Sequence, residues 1–193
     1  MKRLSLIALA FLLASCAGPQ GAGSQAIFFQ NLSALCGRTF EGRVTSPPVE
    51  ADADFAGRRL VMYVRDCGED ELRIPFHVGE DRSRTWIVRR ERGPSGTGLL
   101  SLKHDHRHAD GSEDRLSLYG GATVTEGSAS RQEFPADAFS RALFEREGIP
   151  QSSANVWALE LHPARMFAYE LSRPGRFFRV QFDLERPVEV PGR

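Results

Sequence analysis

Apolar and polar residues alternate with a period of two along most of the chain, and turn residues interrupt the alternation. That pattern predicts antiparallel strands. Ten segments carry it: 38–45, 58–66, 71–78, 84–91, 98–108, 114–120, 127–134, 155–162, 165–172 and 176–184. One short stretch near 136–147 has helical spacing instead. Pro135 suits a first helical position, Asp137 the first turn, and Phe139, Ala142 and Leu143 the apolar stripe, with Gly148 and Pro150 ending it.

The last hairpin carries the sharpest signal. Pro174-Gly175 suits the centre of a type II turn, so Arg173 should face Arg176. That register puts Phe167, Tyr169, Leu171, Phe178, Val180, Phe182 and Leu184 on one face, and Glu170 opposite Arg179 on the other. A meander with one apolar face predicts a mainly β domain. Its form is either a nearly closed antiparallel barrel, lipocalin-like in pattern, or a two-sheet sandwich. Phe76, Phe167, Tyr169 and Phe178 are the candidates to line an interior ligand pocket.

The first residues follow another logic. Lys2 and Arg3 precede an apolar run, Leu4 to Leu13, that is too short to span a bilayer. It ends in Leu13-Ala14-Ser15-Cys16, which resembles the lipobox of bacterial lipoproteins. The resemblance implies a signal peptide over 1–15, cleavage and lipidation at Cys16, and attachment to the membrane through lipid. Ala17 after the cysteine matches the pattern of outer-membrane sorting, which implies a domain facing the periplasm. Ordinary secretion is the alternative, with Ser15-Cys16-Ala17 as a small-x-small cleavage site. Residues 16–34 read as a Gly-, Ala- and Ser-rich tether with a short helical or irregular segment at 27–35, 35–186 as the domain and 187–193 as a tail.

The chain carries 25 basic and 25 acidic residues. Loss of Lys2 and Arg3 leaves the mature part at about −2, which disfavours a nucleic-acid partner. With Cys16 lipidated, Cys36 and Cys67 form the one intrachain pair. They flank the first two strands at neighbouring ends, so they are read as a disulfide, or else as two buried thiols. A closed loop of about 31 residues would contribute roughly 3–4 kcal/mol.

One row suggests chemistry. His104, His106 and His108 continue the apolar alternation of Leu100 and Leu102. A three-residue turn after them would align Leu118 with His104 and Leu116 with His106, and bring Asp114 beside His108. His104, His106 and Asp114 could then ligate a divalent metal, act as polar contacts in a pocket, or form a solvated strand end. His106-x-His108 with Glu113 and Gly120 resembles part of the first cupin motif. Leu100 stands where that motif has glycine, however, and the second motif has no match. His77 alternates with Phe76 and Val78 and is expected on the outer surface, and His162 in a plain turn. No nucleophile elbow, phosphate loop or dinucleotide fingerprint is present, and no catalytic role can be assigned. Three functions follow as expectations: a non-catalytic module binding a small apolar or amphipathic molecule, a metal-dependent protein, or a structural envelope lipoprotein.

Overall fold

The alternating segments become one antiparallel sheet. The computed structural model describes residues 23–92 and 98–190. Cys16, the expected signal segment over 1–15, residues 16–22 of the expected tether and the last three residues lie outside that description.

Helix α1 (Ser24–Ser33) leads into β1 (Thr39–Val44), β2 (Leu60–Tyr63), the two-residue β3 (Asp66–Cys67), β4 (Glu71–Val78), β5 (Asp81–Arg92) and β6 (Gly98–His106). Then come β7 (Tyr119–Ala122), β8 (Arg131–Pro135), helix α2 (Ala138–Arg146), β9 (Val156–His162), β10 (Met166–Arg173) and β11 (Arg176–Pro187). The strands pair in the order β7-β6-β5-β4-β2-β1-β11-β10-β9-β8, and β3 adds to β4. The result is one sheet whose ten-strand path is nearly closed into a barrel, not a two-sheet sandwich.

The seam lies between β7 and the junction of β8 with α2. Asp137 N–H donates to the Gly120 carbonyl over 2.9 Å, and Gly120 N–H donates to Ser140 Oγ over 2.7 Å. Asp137 is the N-cap of α2, accepting from Ser140 N–H, so Pro135 belongs to β8 rather than to the first helical turn. The buried face of α2 is Ser140, Leu143 and Phe144, one residue away from the expected stripe, and Phe139 is exposed beneath Lys103. Capping sets this phase. With Asp137 as N-cap, Ser140 is the N3 residue, and its hydroxyl is drawn to the seam.

Gly120 and Gly121 make the closure possible. A Cβ on Gly120, whose φ is 152°, would collide with the Leu102 carbonyl, and one on Gly121 with the Pro135 carbonyl.

At the other end α1 buries Phe28, Phe29 and Leu32 in the barrel core. Gln25 ties it to Thr123 and Thr125 beyond the end of β7. Residues 24–33 are therefore part of the packed domain, not of the tether. Cys36 and Cys67 are disulfide-bonded and join the chain after α1 to β3. The final hairpin has the expected register, with Arg173 opposite Arg176, Phe167 opposite Phe182 and Gly175 at φ 73°. On its outer face the Glu170 carboxylate is buried between Arg131 and Arg179.

Candidate functional site

The barrel interior is filled toward α1 and hollow toward the opposite end. The strands that reach that end keep their alternation, and on three of them the inward positions turn from apolar or aromatic to polar at the mouth. On β5 the inward series is Val88, Trp86, Arg84; on β6 it is Leu102, His104, His106; on β10 it is Tyr169, Leu171, Arg173. These side chains border a cavity of about 380 Å³ at the barrel mouth. Phe144 of α2 and Ile149, Ser152 and Asn155 beyond it close one side, and Phe55 the other, from the loop between β1 and β2.

The floor is a stack of rings. Trp86 lies between Phe76, with centroids 4.7 Å apart, and Tyr169, 4.6 Å apart. Phe55 continues it over Phe178 at 4.7 Å. Of the four expected pocket residues, Phe76, Tyr169 and Phe178 border the cavity. Phe167 does not; it is fully buried below, against Trp86 and Phe182.

His104 is 3% exposed and has partners at both ring nitrogens. Its Nδ1 faces the Tyr119 carbonyl at 3.1 Å, so Nδ1 carries the proton. Nε2, 2.9 Å from the Tyr169 hydroxyl, must then accept. Burial lowers the His104 pKa to about 3, assisted by the nearby His106, against the opposing Tyr119 carbonyl. Burial raises the Tyr119 phenol to about 12 and Tyr169 well above its ordinary value, so both stay protonated. His106 sits higher, with Nε2 3.1 Å from the Tyr119 hydroxyl. Burial and then Arg84 lower its pKa, while Asp114, Asp81 and Asp105 oppose them. Near neutral pH, His104, Tyr119 and Tyr169 are thus neutral hydrogen-bonding groups rather than a charged relay.

No protein-family model, curated protein or solved structure matches this chain. Its own geometry therefore carries the functional reading.

His104, His106 and Asp114 do border the same cavity. Among the described residues, however, no three His, Cys, Asp or Glu side chains converge as a metal site. Nor is the expected register after the histidines present. Arg107 faces Glu113, and His104 faces Tyr119 rather than Leu118. Residues 114–118 leave the ladder because local side chains compete for the backbone. Asp114 Oδ1 accepts from Leu116 N–H, Ser117 Oγ accepts from His106 N–H, and Leu118 adopts φ 58°. Asp114 does lie beside His108, with Oδ2 3.7 Å from Nε2.

His77 points outward but is buried, not on the surface; burial first, then the charges of Arg82 and Arg65, lower its pKa to about 4. His162 pairs with Glu160 at 2.8 Å. Trp86, Trp157, Tyr119 and the three mouth arginines 84, 173 and 176 were not foreseen as site residues, although the alternation through Trp86 and Tyr169 points to two of those arginines.

Proposed function

We propose that this chain is an envelope lipoprotein, anchored through Cys16, whose barrel binds a small amphipathic molecule in its mouth without transforming it. The observation that carries the binding reading is the aromatic cavity of about 380 Å³. It falls in the lower part of the ~300–1,000 Å³ range of small-molecule sites. A purely structural barrel would have a filled interior at this end.

Magnitudes suggest what the ligand must be. Covering roughly 200 Å² of apolar ligand surface contributes about 5 kcal/mol before the cost of association. That alone supports binding no tighter than about 0.2 mM, so useful affinity needs polar contacts as well. The mouth offers them in the Tyr119 hydroxyl, His106, Asn155 and the arginines. Envelope residence is supported by the lipobox resemblance and by the Cys36–Cys67 disulfide, which suits an oxidising compartment. The mouth lies at the barrel end opposite α1, the element nearest the tether, and so is open to ligand while the chain is anchored.

The test is extraction of the protein, purified from envelopes under non-denaturing conditions, followed by mass spectrometry of the released small molecules. A recurring amphipathic compound absent from a control barrel supports the reading. An empty protein that also ignores a broad amphiphile panel overturns it.

A further inference from the structure

We propose that the cavity selects an amphipathic carboxylate, with Arg173 as the group that holds the anionic head. The proposal rests on the small-molecule reading above and adds the chemical class.

It starts from two cross-strand pairs at the mouth. Arg84 faces His106 across β5 and β6, and Arg173 faces Arg176 across β10 and β11. All four continue inward-facing rows and border the cavity. Like charges directly opposite one another on a sheet repel, so the Arg173–Arg176 pair is costly unless each charge is met.

Two of the three arginines are met by the protein itself. Arg176 forms a two-pronged pair with the buried Asp52 carboxylate, and Arg84 pairs with Asp81. Arg173 is not. Its Nη1 donates to Asn155 Oδ1 at 2.9 Å and lies 3.4 Å from Ser152 Oγ, both neutral groups, and among the described residues it has no carboxylate partner. Asn155 and Ser152 are themselves buried, so they hold the guanidinium in place at the cavity wall. A half-buried guanidinium positioned by neutral groups, with donors to spare, beside an apolar cavity is suited to a planar carboxylate.

The alternative charge is disfavoured by the same geometry. An aromatic cavity can attract cations, but two of its ring faces already carry the protein's own. Arg84 lies over Phe55 at 5.8 Å and Arg176 over Phe178 at 5.6 Å. Asp114 is the one carboxylate bordering the cavity, and its Oδ1 is occupied by Leu116 N–H.

The experiment compares three probes of one shape by calorimetry at low salt: 2-naphthoate, 2-naphthalenemethanol and 2-naphthylmethylamine. The intact protein should bind the carboxylate at least tenfold tighter than the alcohol, and the amine most weakly. Arg173→Gln should bring the carboxylate down to the alcohol's affinity and leave the alcohol within twofold; Arg173→Lys should keep part of the preference. Equal binding of carboxylate and alcohol to the unmutated protein overturns the proposal whatever the variants do, and so does an undiminished preference in a folded Arg173→Gln. In either case the cavity itself still binds. Failure of all three probes overturns the carboxylate proposal, while the small-molecule reading stands or falls with the broad amphiphile panel.

Discussion

The Tyr169 hydroxyl donates to His104 Nε2 across the barrel interior, over 2.9 Å. The two residues belong to β10 and β6, strands that are not neighbours in the sheet, so the contact ties opposite walls together just below the cavity. Tyr169→Phe would leave a buried imidazole nitrogen without its donor. The expected loss is about 1–3 kcal/mol in urea unfolding. A variant as stable as the parent would mean that this bond does not brace the walls.

The same burial makes stability depend on pH. His104 and His77 titrate at about 3 and about 4 in the folded chain, against an ordinary value of 6.5. Well above pH 6.5 neither state binds these protons, and the stabilisation is fully present. As pH falls, the unfolded chain takes up protons that the folded chain refuses, so stability drops from about pH 6.5 toward 4. The slope is at most about 1.4 kcal/mol per pH unit for each histidine. His104→Gln should flatten it between pH 6.5 and 5, above the range where carboxylates contribute most. An unchanged slope would show that His104 does not titrate in this way.

Closure of the barrel depends on Gly121. An added Cβ meets the Pro135 carbonyl, which is backbone and cannot turn aside. Gly121→Ala should therefore cost about 2–4 kcal/mol. Gly98→Ala, with nothing near its Cβ position, should cost under about 1 kcal/mol. Equal thermal midpoints for the two variants would contradict the seam as described.

These positions show what was legible beforehand. Pro174-Gly175 set the last hairpin's register, and period-two alternation placed Phe76, Tyr169 and Phe178 inside. Both follow from local geometry that any sheet must obey. The path of residues 114–118 was not legible, because it turns on the Asp114 and Ser117 side chains binding backbone N–H groups in place of the ladder. His77 shows another limit: alternation names a face, not what covers it. The mouth arginines were missed for a third reason. A charged residue at an inward position reads as a strand end until the strands that share the mouth are known.

The disulfide and the proposed lipid anchor are separable by experiment. Replacing Cys36 and Cys67 together with Ser should remove roughly 3–4 kcal/mol of stability, set by the loop of 31 residues. Acylation should be untouched. Cys16→Ser should abolish incorporation of labelled fatty acid and leave the folded domain's stability as it was. Lipid labelling that survives in Cys16→Ser would remove the basis for an anchor at that residue.

The chain has two tryptophans, and both Trp86 and Trp157 border the cavity. Their emission therefore reports its occupancy without any added label. The most direct test of the account is a fluorescence titration of the purified domain with non-fluorescent amphiphiles of about ten to fifteen heavy atoms, a size suited to the smaller ligand sites. A saturable change in emission with one molecule bound per chain is expected. Emission that does not change, or that drifts linearly without saturation across the whole panel, would contradict it.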